Sequence, residues 1–259
     1  MKTLKVIKIG GNSIDDATSL QEFLNVFCTV KGPKILVHGG GKIVTNVSKK
    51  MQMEVTIVDG RRVTNAETLD IITMVYAGKI NKNIIASLQQ KGCKSVGFTG
   101  ADGNTIVSKQ REVKDLDYGF VGDVIKVNTS ILEVLLDAGV TPVFSAITHN
   151  EKGQLLNTNA DTIASELAIA FAEKYHTELY YCFEKNGVLL DVNKADSVIE
   201  KINRNEYKRL LDNQIIADGM LPKLNNCFHA IEQKVQKVCI GTPKMLSNKN
   251  VKCTSIANS

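Results

Sequence analysis

The sequence predicts an α/β protein with an open, mostly parallel, doubly wound sheet that is flanked by helices. Along the 259 residues, short apolar runs alternate with longer segments of helical periodicity, a pattern typical of parallel sheets covered by helices. Glycine-rich stretches follow the first two apolar runs, where the carboxyl ends of strands would lie. The composition, 43% hydrophobic and 23% charged, is that of a folded domain and excludes a disordered or fibrous chain.

In the first half of the chain, apolar residues at alternating or helical spacing predict each element in turn. Residues 4–9 form an apolar run that ends at Gly10-Gly11, and residues 16–30 carry apolar side chains three and four positions apart. A hairpin over 53–64 is predicted to turn at Asp59-Gly60, a dipeptide typical of tight turns. The further predictions are strands at 34–37, 96–98 and 141–147, helices at 42–50, 65–90 and 130–138, a loop at 99–103 and a β-ribbon within 105–127.

The second half opens with a polar loop at 155–161. Its Asn and Asp residues favour a helix start, so a helix is predicted over 162–174. The remaining predictions are strands at 178–183 and 237–240, a turn at 184–187 and helices at 205–211 and 222–234. Because no linker composition interrupts the pattern, we expect one continuous subunit with two lobes.

Charge and cysteine content narrow the functional classes. With 32 Lys and Arg against 27 Asp and Glu, the net charge is +5, and the positive charges are spread along the chain. This charge is compatible with an anionic small-molecule ligand and does not indicate nucleic-acid binding. No apolar stretch approaches the ~20 residues of a membrane-spanning helix, and the start lacks a signal-peptide core, so we expect a cytoplasmic protein. The cysteines follow no zinc or disulfide spacing, and we expect free thiols and no metal held by the chain.

Glycine-rich loops follow the first two predicted strands, at Gly10-Gly11 and at Gly39-Gly40-Gly41. In an open α/β sheet, ligands bind beyond the carboxyl ends of strands, where N–H groups of helix N-termini point outward. Without Cβ atoms there, phosphate or carboxylate oxygens can approach the amides. The second loop fails the Walker A and dinucleotide-binding patterns at Ile43 and Val44 respectively. The sequence therefore predicts anion-binding loops of another type.

Two lysines lie beside such glycines. Lys8 lies near the end of the first apolar run, and Lys223 follows the glycine-bearing segment Asp218-Gly219 at a predicted helix start. A lysine at a strand end can extend its ammonium group into solvent. Beside an anion-binding loop, it is better explained as a point charge for a phosphate.

Five motifs occur together, and on them the chain resembles a known family. They are Lys8-Ile9-Gly10-Gly11, His38-Gly39-Gly40-Gly41, Gly60-Arg61-Arg62-Val63-Thr64, Asn157-Thr158-Asn159-Ala160-Asp161 and Asp218-Gly219-Met220-Leu221-Pro222-Lys223. Over about residues 4–241 the chain resembles the amino acid kinase family, and within it the members that phosphorylate N-acetylglutamate. The resemblance implies the amino acid kinase fold with β-hairpins over the acceptor site. It also implies an acceptor-binding lobe at 1–174 and an ATP-binding lobe at 175–259.

The resemblance implies a role for each matching residue. The reaction would transfer the γ-phosphoryl group of ATP, with Mg²⁺ held mainly by the ATP phosphates, to the side-chain carboxylate of N-acetyl-L-glutamate or a related N-acylglutamate, in arginine biosynthesis. Lys8 and Lys223 would stabilise the transition state, and Asp161 would hold these lysines in place. The implied substrate-binding residues are Gly40, Gly41, Arg62 and Asn157, and the implied nucleotide-binding residues are Gly10, Gly11, Glu184 and Gly187.

The chemistry of this reaction fits the residues present. The attacking group is a carboxylate with an ordinary pKa of about 4.3, already ionised at pH 7, so no general base is required. The difficulty is to bring one anion up to another, which lysines, backbone amides and Mg²⁺ on the ATP oxygens would overcome. An arginine would bind the α-carboxylate through its planar fork of donors.

Several of these residues also have structural explanations. His38 is expected to pack or hydrogen-bond beneath its loop rather than take part in chemistry. Asp161 is typical of the first turn of a helix. Arg61 is expected to be a solvated charge on the hairpin, and Asp102 a turn former.

One segment departs from the family pattern. Phe183-Glu184-Lys185-Asn186-Gly187 stands where members carry Ser/Thr-Asp-Val, so Glu184 would replace an aspartate near the adenine and ribose. This departure leaves a non-catalytic metabolite or nucleotide sensor open. Another small-acid kinase of the same fold also stays open, and so does the acyl group, acetyl or succinyl. Because the first strand begins at residue 4, without the extra N-terminal helix of arginine-inhibited members, we expect an arginine-insensitive homodimer.

Overall fold

The structure, a computed structural model, describes residues 1–58, 60–113, 115–216, 220–248 and 250–257. The strands are β1 (Thr3–Ile9), β2 (Lys34–His38), β3 (Ile57–Val58), β4 (Arg61–Arg62), β5 (Ser95–Phe98), β6 (Ile106–Gln110), β7 (Gly122–Val127), β8 (Thr141–Ser145), β9 (Ile147–His149), β10 (Leu155–Asn157), β11 (His176–Cys182), β12 (Lys201–Ile202), β13 (Lys237–Gly241) and β14 (Thr254–Ile256). The α-helices are α1 (Gly11–Asp15), α2 (Ala17–Thr29), α3 (Gly41–Lys50), α4 (Ala66–Thr73), α5 (Asn81–Gln90), α6 (Ser130–Asp137), α7 (Ala160–Phe171), α8 (Arg204–Asp212) and α9 (Leu221–Glu232).

The chain divides into two compact units. The first unit consists of Met1–Lys34 together with Ala164–Ser259, and the second is Ile35–Ile163. The N-terminal strand belongs with the C-terminal part because β1 pairs in parallel with β11 along its whole length, from Thr3 opposite His176 to Ile9 opposite Cys182. The division into an acceptor lobe at 1–174 and an ATP lobe at 175–259 concerns ligands and stays a prediction.

In the first unit the strands lie in the order β12-β14-β13-β11-β1. The pairs of β11 with β1 and β13 and of β12 with β14 are parallel, and that of β13 with β14 is antiparallel. Leu4, Val6, Leu179 and Val238 are fully buried in this sheet, as expected for strands covered on both faces. The short strands β12 and β14 were not predicted, because two or three residues carry no readable period.

In the second unit β2, β8 and β5 lie side by side in that order and pair in parallel. Together with the first unit, this confirms the predicted mostly parallel α/β architecture with flanking helices. A separate sheet has the order β10-β9-β6-β7, in which β6 and β7 form the predicted antiparallel ribbon. The prediction of a loop throughout 155–161 was wrong at its start, because residues 155–157 form β10 and pair with β9.

The predicted helix over 65–90 is interrupted. α4 and α5 are joined by a π-helical segment, Met74–Ile80, which contains Gly78. Segments of π-helix are rare and often occur at functional sites. This segment carries Tyr76 and Ile80, whose side chains are buried and face the second glycine loop.

The predicted hairpin is present at its strands, because β3 and β4 pair antiparallel with Ile57 opposite Arg62. Asp59 of its turn lies outside the described residues, and so do Asp218 and Gly219 of the segment before Lys223. In the described part of the chain, no helix combines the length and apolar character needed to cross a bilayer.

Candidate functional site

In the first unit, the fold places Lys8 and Lys223 beside the same two residues of β11, Tyr181 and Cys182. Lys8 stands opposite Tyr181 in the parallel register of β1 and β11. The Lys223 Nζ atom lies 4.8 Å from the centre of the Tyr181 ring, a cation–π distance. Burial raises the pKa of the neighbouring Cys182 thiol, and the charges of Lys8 and Lys223 both oppose that rise. The two predicted lysines therefore form one cluster of positive charge at the carboxyl end of β11.

The first glycine loop joins this cluster through the backbone. The Gly10 N–H donates to the Cys182 carbonyl oxygen at 2.8 Å, so this amide is already used within the protein. A Cβ atom at Gly10 would lie 3.1 Å from that oxygen and 3.3 Å from the Phe183 Cβ atom, so a side chain there would require these neighbours to shift by a few tenths of an ångström. Gly11 begins α1, and a Cβ atom there would meet nothing within 4 Å. Open space thus lies at Gly11 rather than at Gly10.

The turn at residues 184–187 is tied to the first loop on one side and to β14 on the other. The exposed Glu184 accepts a hydrogen bond from Asn12 Nδ2 at 2.7 Å. Gly187 is buried, and a Cβ atom there would lie 2.6 Å from Thr254 Oγ1. Packing against β14 therefore accounts for glycine at 187 without any ligand.

In the second unit, the glycine loop after β2 has a backbone that only glycine adopts readily. Gly40 has a φ of +147°, and a Cβ atom there would lie 2.2 Å from Ile80 Cδ1 and 3.3 Å from Tyr76 Cε1. α3 begins directly afterwards, at Gly41. The π-helical segment therefore fills the space beside Gly40 and presses against the loop.

His38 lies beneath this loop and is structural, as the sequence indicated. It is fully buried, its Nδ1 donates to the Gly39 carbonyl at 2.9 Å, and its Nε2 accepts from Asn81 Nδ2 at 3.0 Å. Asn81 also donates to the Val143 carbonyl at 2.9 Å. Burial lowers the pKa of His38 from 6.5 to about 4. The hydrogen bond to Gly39 acts against this fall, and the positive charge of Lys82 lowers the pKa by a smaller amount. The neutral ring holds the end of β2 in place.

Arg62 reaches the same loop from the hairpin. Its Nη2 atom donates to the Gly41 carbonyl at 2.9 Å and to Thr45 Oγ1 at 2.6 Å. Its Nη1 atom is buried and has no hydrogen-bond partner among the described residues. Burial lowers the pKa of the guanidinium, and Tyr76 opposes this. A buried donor without a partner is costly, which makes Nη1 a candidate contact for a ligand.

Asn157, at the end of β10, is joined to the hairpin. Its Nδ2 atom donates to Thr64 Oγ1 at 3.0 Å, and its backbone N–H donates to the Phe120 carbonyl at 2.9 Å. Thr64 in turn donates to the Arg62 carbonyl at 3.0 Å. The predicted substrate-binding residues Arg62 and Asn157 are thus connected through Thr64, and both belong to the second unit with Gly40 and Gly41.

Asp161 lies in the first turn of α7, and Asn159 caps this helix. The Asn159 Oδ1 atom accepts from the N–H groups of Asp161 at 2.7 Å and Thr162 at 3.2 Å, which is the N-cap arrangement. The helix start that the polar loop predicted is therefore confirmed, two residues earlier than expected. The part that Asp161 would play toward the two lysines stays a prediction.

Three supporting residues escaped the sequence reasoning. Thr45 fixes Arg62, Asn81 orients His38, and Asn12 holds Glu184. Thr45 stands one helical turn after Gly41 and Asn12 directly follows the first glycine pair, so proximity to a predicted loop was a usable signal. Nothing local marks Asn81, because its partner His38 is 43 residues away.

Comparison with known families and proteins identifies the chain's relatives. Residues 3–242 match the amino acid kinase family. The acetylglutamate kinase of Cytophaga hutchinsonii is 49% identical over 264 residues, with both chains covered completely. The acetylglutamate kinases of Phocaeicola vulgatus and Methanopyrus kandleri are 50% and 36% identical, and each comparison covers 92% of this chain.

Solved structures share the fold at lower identity. The smu.665 protein of Streptococcus mutans superimposes with a TM-score of 0.79 at 24% identity, covering 99% of each chain. An N-acetylglutamate synthase of Neisseria gonorrhoeae, complexed with coenzyme A and N-acetyl-glutamate, superimposes with a TM-score of 0.83 at 20% identity. The superposition covers all of this chain and 60% of the synthase chain. At these identities the likeness concerns the fold alone.

Proposed function

Because the chain belongs to the amino acid kinase family, we propose that it transfers the γ-phosphoryl group of ATP to the side-chain carboxylate of N-acetyl-L-glutamate or a related N-acylglutamate. The product is an acyl phosphate, and the step belongs to arginine biosynthesis. Relatives named acetylglutamate kinase match nearly the whole chain at 45–50% identity. The observation that supports this acceptor most directly is the buried Nη1 atom of Arg62 beside the Gly40-Gly41 loop, for which the described part of the chain offers no hydrogen-bond partner.

The second unit supplies the acceptor-binding residues in this proposal. A carboxylate accepts two parallel hydrogen bonds from a guanidinium, and such pairs are strong and directional. Arg62 Nη2 is already held by Gly41 and Thr45, so the arginine is fixed in orientation before the substrate arrives. Arg62 binds the α-carboxylate, the Gly40-Gly41 loop receives the side-chain carboxylate, and Asn157, fixed by Thr64, binds the N-acylated amino acid.

The first unit supplies the charge that phosphoryl transfer needs. The acceptor carboxylate is ionised at neutral pH, so no residue has to remove a proton. Lys8 and Lys223 act as positive charges toward the phosphate oxygens, and fixed charges directed at the transition state are a major source of rate. Asp161 orients these lysines in the proposal.

ATP is the co-substrate in the proposed reaction, and the open space at Gly11 and the exposed Glu184 support its binding to the first unit. Gly10 contributes through the absence of a side chain, since its amide is engaged by Cys182. When bound, Mg²⁺ on the ATP phosphates would neutralise charge that develops during the transfer. Among the described residues, no group of three or more His, Cys, Asp or Glu side chains could hold a metal ion, so ATP oxygens provide most of its ligands in this proposal.

We further propose a homodimer located in the cytoplasm. Ile125 on β7 and Val134 on α6, both in the second unit, are 60% and 68% exposed, and we propose that these apolar side chains lie in the contact between the two copies. Among the described residues no disulfide joins the cysteines, which fits a reducing compartment. Sedimentation analysis that found only monomer at micromolar concentration would contradict the dimer.

An acceptor screen tests the proposed function. A coupled assay of ADP release is run with N-acetylglutamate and N-succinylglutamate, and with free glutamate, aspartate and carbamate as matched comparisons. Turnover is expected only with the N-acylated acids, and their ratio identifies the preferred acyl group. Turnover with a comparison acid instead would favour another small-acid kinase. ATP binding by calorimetry without turnover of any acceptor would favour a nucleotide sensor and overturn the proposal.

A further inference from the structure

Tyr76 lies at the second glycine loop, in the same unit as the candidate acceptor site. It belongs to the π-helical segment Met74–Ile80, and its side chain is buried. A Cβ atom at Gly40 would lie 3.3 Å from its ring atom Cε1, and a Cβ atom at Gly41 would lie 4.0 Å from its hydroxyl oxygen. The ring therefore packs beside Gly40, and the hydroxyl group lies near the first residue of α3.

Arg62 contacts the same residue of the loop. Its Nη2 atom donates to the Gly41 carbonyl at 2.9 Å, so the guanidinium and the Tyr76 hydroxyl group are both neighbours of Gly41. Burial lowers the pKa of Arg62, and an electrostatic interaction with Tyr76 acts against that fall, which agrees with this closeness. Two donor groups from different elements, a guanidinium and a phenol, therefore lie together at the start of α3.

The charge of Arg62 is buried without a carboxylate partner in the described part of the chain. Its hydrogen-bond partners there are the Gly41 carbonyl and the Thr45 hydroxyl group, and its Nη1 atom has none. An anion beside the guanidinium would offset the cost of burying this charge. A carboxylate can accept up to about four hydrogen bonds, so it can bind Nη1 and a neighbouring phenol hydroxyl group at the same time.

The π-helical segment holds the Tyr76 side chain in place. Ile80, on the same segment, would clash with a Cβ atom at Gly40, so the segment packs against the loop through two side chains. Tyr76 and Ile80 are only 7% and 4% exposed, and side chains in such packed surroundings keep one rotamer. A donor that is already fixed loses little conformational entropy when a ligand binds, and π-helical turns often occur at functional sites.

We propose that Tyr76 is a substrate-binding residue whose hydroxyl group donates a hydrogen bond to the α-carboxylate of the N-acylglutamate, beside Arg62 Nη1. This inference rests on the proposed function, in which Arg62 binds the same carboxylate. The two donors together select acceptors that carry an α-carboxylate. Tyr76 takes no part in the phosphoryl transfer itself, because the α-carboxylate is not the reacting group.

Tyr76→Phe tests this role, because it removes the hydroxyl group and keeps the ring that packs beside Gly40. Calorimetry with N-acetylglutamate should give an affinity about tenfold weaker, as expected for the loss of a hydrogen bond to a charged group. In the coupled assay the KM should rise by a similar factor, while kcat stays within about twofold. The matched control is Tyr118→Phe, at a partly exposed tyrosine of the same unit, which should bind N-acetylglutamate as the wild type does.

A substrate analogue and a double variant test whether the hydroxyl group is directed at the α-carboxylate. N-acetyl-γ-aminobutyrate keeps the acyl amide and the reacting carboxylate but lacks the α-carboxylate, so its affinity should be the same for the wild type and Tyr76→Phe. In the Arg62→Met background, loss of the hydroxyl group should weaken N-acetylglutamate binding at most about threefold, because two residues that bind one carboxylate are energetically coupled.

Each result supports or overturns the inference. Equal affinities of the wild type and Tyr76→Phe for N-acetylglutamate overturn it, and so does a fall in kcat at unchanged KM, which would direct the hydroxyl group at the reacting carboxylate. An equal loss of affinity for N-acetylglutamate and for the analogue also overturns it, because a merely distorted site would weaken both ligands. A wild type that does not bind N-acetylglutamate at all contradicts the proposed function, and the inference falls with it.

Discussion

Replacement of Arg62 by methionine separates a binding role from a structural one. Arg62 Nη2 holds Gly41 and Thr45, but Nη1 is buried without a partner among the described residues. A hydrogen bond to a charged group contributes about 1.5–3 kcal/mol, which corresponds to roughly ten- to hundredfold in affinity. Arg62→Met should therefore raise the KM for the N-acylglutamate by that factor. The kcat should change little, because the α-carboxylate is held equally in ground and transition states.

The folding stability of Arg62→Met shows how much the arginine contributes to the fold. Burial lowers the pKa of Arg62, which means that its charge is disfavoured where it lies. Methionine removes the cost of the buried charge but also loses two hydrogen bonds. The net change in the free energy of unfolding should therefore stay within about 1 kcal/mol. For a chain of this size that is a shift in Tm of less than about 4 °C.

The neighbouring Arg61 is the matched control for this experiment. Arg61 is exposed and lines a separate cavity of about 620 Å³ together with Arg111 and Tyr118. Arg61→Met should leave the KM for the acceptor unchanged in the steady-state assay. An unchanged KM in Arg62→Met together with a large fall in Tm would refute the reasoning, because Arg62 would then serve the fold rather than the ligand.

Three further predictions concern the lysines, the second glycine loop and the buried histidine. Lys8→Met and Lys223→Met should each lower kcat at least about a hundredfold, since each removes charge from the transition state, while circular dichroism stays unchanged. Gly40→Ala should lower the free energy of unfolding by about 2–3 kcal/mol in urea, because φ is +147° and the new Cβ atom meets Ile80. The pKa of His38 is about 4 in the native protein, against an ordinary value of 6.5 that we take for the unfolded chain. Between these two pKa values the unfolded chain binds the proton and the native protein does not. The free energy of unfolding therefore falls as the pH drops, by about 2 kcal/mol from pH 7 to pH 5.

Each of these has a control within the chain. Lys5 lies on the same strand as Lys8 with its side chain on the opposite face, and Lys5→Met should leave kcat unchanged. Gly78 has open space at its Cβ position, so Gly78→Ala should be neutral or slightly stabilising. His38→Gln should flatten the dependence of stability on pH between 5 and 7; a slope equal to that of the wild type would assign it to other groups.

The sequence determined the architecture because the signals for it are local. The apolar run at 4–9 and the alternation of strand and helix patterns were sufficient for the parallel α/β sheet, which the strand pairing confirms. The glycine loops were readable for the same reason, because they begin at Gly10 and Gly39, directly after β1 and β2. The family motifs then named candidate side chains by position, and the match to the amino acid kinase family confirms the resemblance on which those candidates rest.

Only the tertiary structure decided what several of these residues do. Gly10 donates its amide to Cys182, and Gly187 packs on Thr254, so the surroundings of both glycines are formed by residues far along the chain. The π-helical turn beside Gly40 was hidden inside an ordinary helical period. The burial of the Arg62 Nη1 atom likewise depends on how the hairpin packs in the folded chain. Sequence patterns report local geometry, whereas burial and long-range hydrogen bonds exist only after the elements have packed.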